Sequence, residues 1–226
     1  MNTKRLQKEL TQINDTSIKS QGIYYFTEND SLYKTTAIIF GPPNTPYEFC
    51  PLEYNFSIPD DYPFSPPKVI YRTNDGRTRF HPNFYSDGKV CLSILGTYSG
   101  PKWASTMSIS TILMSIYSLM TENPLTNEPC WENTSLQNPK NLQYAQHVEH
   151  QMIILFLTMY EDNYYEKYKN IDNEFKERIE KSYETIKKKV LEKAKAEEQE
   201  ILFTALPYNM AGSTMYKKLA TKYEKN

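Results

Sequence analysis

The chain has 226 residues, 39% hydrophobic and 14% aromatic, with 26 Lys+Arg against 27 Asp+Glu for a formal net charge of -1. That length holds one good-sized domain plus an extension, not two full domains, and the balanced charge gives no bulk attraction to nucleic acid or an anionic membrane surface. Cys50, Cys91 and Cys130 are odd in number and widely spaced, with no CxxC pair, which argues against a zinc site, a redox dithiol or a disulfide framework and fits a reducing compartment.

Residues 3–13 have helical spacing, with Leu6, Leu10 and Ile13 on one face and Lys4, Arg5 and Lys8 on a more polar one. No apolar stretch of a signal peptide follows Met1–Leu6. Segments near 22–28, 32–40, 51–58 and 68–72 are rich in Tyr, Ile, Thr, Phe and Val and predict strands. Glu28-Asn29-Asp30-Ser31 and Gly41-Pro42-Pro43-Asn44 supply turn chemistry between them. Connections this short imply an antiparallel meander, because a parallel crossover needs about a dozen residues or more. Over 75–105 the period breaks down at Pro82, Gly88, Gly96, Gly100 and Pro101, as in an ordered loop that carries function.

Helical spacing returns over 106–120, where Ile109, Ile112, Leu113, Ile116, Tyr117 and Met120 mark one face and Asn123-Pro124 ends the element. A second helix is predicted over 140–160, with Leu142, Ala145, Val148, Met152, Leu155, Phe156 and Met159 in a stripe. A third spans 171–200, with Ile171, Phe175, Ile179, Ile186 and Val190 among mixed charges, and its Lys187-Lys188-Lys189 run reads as a solvated face. The tail from 207 reads as loosely held. The longest apolar run, Met152–Leu157, is far too short to cross a bilayer, so a soluble protein of the cytoplasm or nucleus is expected. The 19 tyrosines read as half-buried strand and helix residues rather than base-stacking platforms.

The chemistry concentrates in His81-Pro82-Asn83-Phe84-Tyr85-Ser86-Asp87-Gly88-Lys89-Val90-Cys91-Leu92, which sets Cys91 eight residues after Asn83. Gly88 and Ser93 predict a tight, exposed turn for the thiol. A thiol suits acyl carriage, because a thioester keeps its transfer potential and the thiolate is a good nucleophile. The Asn83 amide can donate to a developing oxyanion or brace the loop. His81 invites a Cys–His dyad of the thiol-protease kind, but Pro82 stiffens the turn and no third group orients the imidazole, so His81 reads as structural. His147 and His150 have no partner at ligand spacing and read as surface residues; no metal site is expected. Within Thr121–Pro129, Glu128 is the candidate to position or deprotonate a lysine, whose ordinary pKa of ~10.4 leaves it protonated near neutrality. Cys50 and Cys130 read as packing residues.

Together with Gly41-Pro42-Pro43-Asn44-Thr45-Pro46-Tyr47-Glu48, Tyr62-Pro63-Phe64-Ser65-Pro66-Pro67-Lys68 and Trp103, the 81–95 segment resembles the catalytic domain of the ubiquitin-conjugating enzymes over residues 3 to 160. Cys91 through Trp103 and Ser118-Leu119-Met120-Thr121-Glu122-Asn123-Pro124 are most similar to the Z-type members and to the conjugating domain of the giant inhibitor-of-apoptosis ligase. The resemblance implies an α+β fold of the UBC type, with a four-stranded antiparallel meander, an N-terminal helix, C-terminal helices and a long charged helical extension. It divides the chain into a core at 1–160 and an extension with a loose tail at 161–226.

The activity it implies is acceptance of ubiquitin from an activating enzyme as a thioester on Cys91, then transfer to a substrate lysine, usually with a ligase. Asn83 would serve the oxyanion, Lys4, Arg5 and Lys8 would meet the activating enzyme, and Phe64 would touch ligases. No cofactor is implied, since ATP is used upstream. Two departures stand out: Ser93 occupies a position that is often Asp, and Ala104-Ser105-Thr106 follows Trp103 where Ser-Pro-Ala is usual. The alternatives are a conjugating enzyme for another ubiquitin-like modifier, a non-catalytic ubiquitin-binding scaffold of the same fold, and a thiol hydrolase.

Overall fold

Segments rich in apolar and β-branched residues in the first half of the chain form one antiparallel sheet in the order β1 (Ile23–Glu28), β2 (Ser31–Phe40), β3 (Pro51–Ser57) and β4 (Lys68–Tyr71). The computed structural model describes residues 3–13, 16–28 and 31–224. Ile39 lies opposite both Ile23 and Leu52, so β2 anchors the register at the middle of the sheet. The meander follows the strand spacing of the sequence. Of the predicted turn between β1 and β2, Asn29 and Asp30 lie outside the described residues.

Two helices cover the sheet's core. Helix α1 (Thr3–Ile13) buries Leu6, Leu10 and Ile13, and helix α3 (Ile109–Leu119) buries Ile109, Ile112, Leu113 and Ile116; the five-residue α2 (Thr16–Ser20) leads into β1. Ser108 starts α3 with a capping box, its hydroxyl accepting from the Thr111 N–H. One buried carboxylate joins the helices: Glu9 accepts from Arg5 Nε at 2.8 Å, from the Tyr62 hydroxyl at 2.5 Å and from the Ile109 N–H at 3.1 Å. An anion at the N-terminus of α3 is favoured by the helix dipole.

The chain divides into two compact units, Met1–Pro42 with Pro51–Thr121 and Pro43–Cys50 with Glu122–Asn226. The second contains α4 (Pro139–Glu161), α5 (Glu166–Lys169), α6 (Asn173–Ala196), the hairpin β5 (Ile201–Leu206) and β6 (Met210–Thr214), and α7 (Tyr216–Ala220). Helix α6 buries Phe175, Ile179, Ile186 and Val190, as the spacing predicts. Ile171 falls outside it and is exposed, because Asp172 caps the helix by accepting from the Phe175 N–H at 2.9 Å. The lysine run is engaged as well as solvated: Lys189 pairs with Glu149 of α4 at 2.7 Å, joined there by Lys193, one turn beyond the run, at 2.6 Å. Burial alone would push the Glu149 carboxyl up, but these two cations outweigh it and hold it below its usual value.

The loose tail expected from 207 is folded instead. Met210, Thr214, Tyr216, Ala220 and Tyr223 are buried, and the Tyr223 hydroxyl donates to Glu161 at 2.8 Å. Polar spacing hides these anchors in the sequence. His147 and His150 are likewise buried, not on the surface, because β6 and α7 cover their side of α4. His150 Nε2 accepts from the Met215 N–H at 3.0 Å. Gly212 makes room for the other ring, since a Cβ there would stand 2.6 Å from His147 Cε1. Among the described residues, no helix is long and apolar enough to cross a membrane.

Candidate functional site

Cys91 sits on a loop hung from the edge of the sheet. The Tyr71 N–H donates to the Gly88 carbonyl at 2.8 Å, and Phe84 bridges to Val90. Gly88 has φ +93, and a Cβ there would meet Ile70 Cγ2 at 2.9 Å and the Tyr71 carbonyl at 3.0 Å. Only glycine fits both constraints. Gly88→Ala is therefore expected to lower stability by about 1–3 kcal/mol, read as a lower urea midpoint.

Asn83 clamps the cysteine from two sides. Its main-chain carbonyl accepts from the Cys91 N–H at 2.8 Å, and its Nδ2 donates to the Cys91 carbonyl at 2.7 Å. Thr97 closes the far side: its hydroxyl donates to the Val90 carbonyl at 2.6 Å and accepts from the Leu92 N–H at 3.0 Å. A 3₁₀ turn at Ser93–Leu95 follows. The turn is tight, as Gly88 and Ser93 predict, but Cys91 is only 6% exposed, so the thiol is covered rather than open. Ser93 follows Cys91 by two and carries no acid, so no carboxylate comes from that position.

His81 is engaged at both ring nitrogens. Nδ1 accepts from the Asn83 N–H at 3.0 Å, which fixes the tautomer and makes Nε2 the donor to the Leu119 carbonyl at 2.9 Å. Burial pushes the imidazole down to about 3; the bond to Leu119 opposes that shift and Arg79 adds to it. Arg79 binds the His81 and Pro82 carbonyls at 3.0 and 2.6 Å, stacked 3.1 Å above the Tyr85 ring. In this geometry the ring ties the turn to α3 and has no nitrogen to offer a thiol.

A histidine held neutral in the fold and protonated when unfolded stabilises the protein above its unfolded pKa and loses that contribution as the pH falls. For His81, pushed down to about 3, and His150, pushed down to about 4 chiefly by burial, the loss begins near pH 6.5. Each is expected to cost ~1.4 kcal/mol per pH unit below that point. Urea midpoints at pH 7, 6 and 5 check this, and the His81→Asn variant should show a shallower fall.

The remaining predicted residues separate. Lys4 and Lys8 are exposed on α1, whereas Arg5 is half-buried, with Nη2 donating to the Met107 carbonyl at 2.7 Å. Phe64 is 79% exposed, and the Pro63 carbonyl just before it accepts from Trp103 Nε1 at 2.7 Å. Glu128 lies in the second unit, at the end of a 3₁₀ turn over Pro124–Asn127, and its Oε2 accepts from the Tyr208 hydroxyl at 2.6 Å. Tyr208 escaped the sequence reading because it sits in the stretch taken as a loose tail. Cys130 is exposed at φ +71 rather than packed, and Cys50 is buried, as expected. No group of acids, histidines or cysteines suited to a metal occurs among the described residues.

Residues 5–152 match the family model described as Ubiquitin-conjugating enzyme. Human Ubiquitin-conjugating enzyme E2 Z is 49% identical over 112 residues, covering 49% of this chain and 32% of its own length. Probable ubiquitin-conjugating enzyme protein 17 of Caenorhabditis elegans is 35% identical over 204 residues, 86% of this chain and 27% of its own. Human Dual E2 ubiquitin-conjugating enzyme/E3 ubiquitin-protein ligase BIRC6 is 40% identical over 121 residues, 51% of this chain and 2% of its own. Among solved structures, the E2 domain of a Toxoplasma gondii ubiquitin conjugating enzyme is similar with a TM-score of 0.51 at 27% identity, covering 66% of this chain and 94% of that domain. The chain thus spans about a third of the length of the E2 Z relatives it matches.

Proposed function

The chain belongs to the ubiquitin-conjugating enzyme family, and from that membership we propose that it takes ubiquitin as a thioester on Cys91 and passes it to lysines of protein substrates. The observation that carries the reading is the clamp of Asn83 on Cys91, which fixes a single thiol beside an amide donor at 2.7 Å from the cysteine carbonyl. In transthiolation the Cys91 thiolate attacks the donor thioester, the tetrahedral adduct collapses, and the upstream thiol leaves. In aminolysis a lysine nitrogen repeats the attack and Cys91 leaves. Asn83 Nδ2 has a second N–H to offer the oxyanion of the aminolysis step.

Lys4 and Lys8 on α1 suit a contact with the activating enzyme, and the bare Phe64 ring suits a ligase. Arg5 contributes less to the first contact, since the fold already uses its guanidinium. His81 serves the turn. Charging assays with ubiquitin and with its relatives, each beside its own activating enzyme, test the reading on a non-reducing gel. A thiol-sensitive adduct with a relative alone would change the modifier and leave the chemistry; no adduct with any would refute the reading.

A further inference from the structure

Two peptide planes meet at the Cα of Cys91, and their orientations are its only soft backbone dihedrals. Each plane carries a carbonyl on one edge and an N–H on the other. The plane from Val90 to Cys91 is held at its N–H by the Asn83 carbonyl at 2.8 Å and at its carbonyl by the Thr97 hydroxyl at 2.6 Å. The plane from Cys91 to Leu92 is held at its carbonyl by Asn83 Nδ2 at 2.7 Å and at its N–H by the Thr97 hydroxyl at 3.0 Å. Asn83 and Thr97 grip the same two planes from opposite edges.

A local reversal of the chain delivers Thr97 to that place. Gly96 ends the 3₁₀ turn at Ser93–Leu95 in the left-handed region, with φ 70, and its N–H donates to the Ser93 carbonyl at 2.9 Å. The next residue faces back along the chain, and the Thr97 N–H donates to the Leu92 carbonyl at 3.3 Å, with the hydroxyl 3.1 Å from the same oxygen. A hydroxyl has one proton and two lone pairs, so it can donate to one peptide group while accepting from another. A β-branched side chain is stiff about χ1, which holds that oxygen between Val90 and Leu92. Thr97 is an exposed residue in an exposed stretch, so its hydroxyl serves the neighbours of the cysteine rather than a core.

We propose that Thr97 is a positioning residue for the thiol of Cys91. With both planes pinned at both edges, the Cα–Cβ bond has one direction and only χ1 is left to place Sγ. The proposal rests on the reading of Cys91 as the thioester carrier. In charging, Sγ gives up its proton and bonds to the carbonyl carbon of the incoming thioester, and the upstream sulfur leaves with the bonding pair and takes up a proton. In discharge, a lysine amine bonds to that carbon and gives up a proton, while the carbon–sulfur bond breaks with its pair on Sγ. Sulfur attacks in the first step and leaves in the second, so its placement enters both. Loss of the Thr97 hydroxyl therefore slows the two steps alike, whereas the oxyanion donor assigned to Asn83 weighs on aminolysis.

Thr97→Val is isosteric without the hydroxyl, and Thr97→Ser keeps the hydroxyl without the methyl. The test follows the wild type and both variants in single turnover. Charging comes from an activating enzyme already loaded with ubiquitin, or with whichever relative charges the wild type, and discharge is onto free lysine. Rate and amplitude are read separately: amplitude counts the folded, competent molecules, which a merely structural role would lower, and rate reports how well each is aligned. The expected result is full amplitude in Thr97→Val with charging and discharge each slowed about tenfold, and rates within about twofold of wild type in Thr97→Ser. A wild-type rate in Thr97→Val, a lowered amplitude at an unchanged rate, or a Thr97→Ser as slow as Thr97→Val would overturn the proposal and leave Cys91 its role. Slowing of discharge alone would also overturn it, and would set Thr97 beside Asn83 on the oxyanion. A wild type that takes no modifier from any activating enzyme would refute the reading of Cys91 and the proposal with it.

Discussion

Incubated with ATP, ubiquitin and a ubiquitin-activating enzyme, the protein is expected to gain one ubiquitin through a bond that dithiothreitol cleaves, and Cys91→Ala is expected to gain none. Three thiols compete for this role, and the structure ranks them. Cys50 is buried, and burial pushes its thiol up to about 12, with Lys189 opposing the shift, so it presents almost no thiolate near neutrality. Cys130 is exposed, but among the described residues no hydrogen bond holds its side chain, and it sits at a strained φ of +71. Cys91 alone has its backbone fixed at both N–H and carbonyl by one residue. Cys130→Ser should therefore charge like the wild type, and Cys91→Ser should give an ester that thiols leave intact. A thiol-sensitive adduct that persists in Cys91→Ala would move the nucleophile elsewhere and refute the assignment.

The cover over Cys91 adds a condition to that result. At 6% exposure the thiol has to be uncovered before a second thioester can reach it. The Thr97 hydroxyl ties the exposed stretch from Gly96 to Lys102 back to the Val90 carbonyl, next to the cysteine in the chain. Loosening that tie with Thr97→Val, which keeps the shape and removes the hydroxyl, should change the charging rate before it changes global stability.

The sheet was legible because its segments are rich in Tyr, Ile, Thr, Phe and Val and its connections are short, which is what an antiparallel order requires. Helices α3 and α6 were legible through a 3.6-residue repeat. What escaped belongs to positions where polar groups are buried in pairs. Glu9 looks like a surface acid on α1 until Tyr62 and the N-terminus of α3 close over it. His147 and His150 look like surface histidines until a hairpin covers them, and that hairpin is opaque because Tyr208-Asn209 makes a turn usually made with glycine. At the site, the motif gave Cys91, Asn83 and His81 as a set. Which atoms bind which is a matter of geometry: a neutral ring accepting at Nδ1, and an amide turned onto the carbonyl of the cysteine.

Asn83→Ala separates the two jobs of that amide. Its side chain braces the loop through Nδ2, while Oδ1 is buried without a hydrogen-bond partner among the described residues. The main-chain bond between the Asn83 carbonyl and the Cys91 N–H needs no side chain, so the variant keeps half of the clamp. If the amide serves only as a brace, removing it costs roughly 0.5–1.5 kcal/mol of stability and slows charging and discharge alike. If its second N–H stabilises the oxyanion, aminolysis suffers far more, by about 10²–10³-fold. The expected result is the second: charging within a few-fold of wild type, lysine discharge down by about two orders of magnitude, and a modest fall in urea midpoint. Asn83→Asp sharpens the contrast, since it keeps the shape, removes both donors and sets a negative charge where the oxyanion would form. It should discharge no faster than the alanine variant while unfolding at a similar midpoint. Normal discharge in either variant would leave Asn83 a brace alone and place oxyanion stabilisation on another donor.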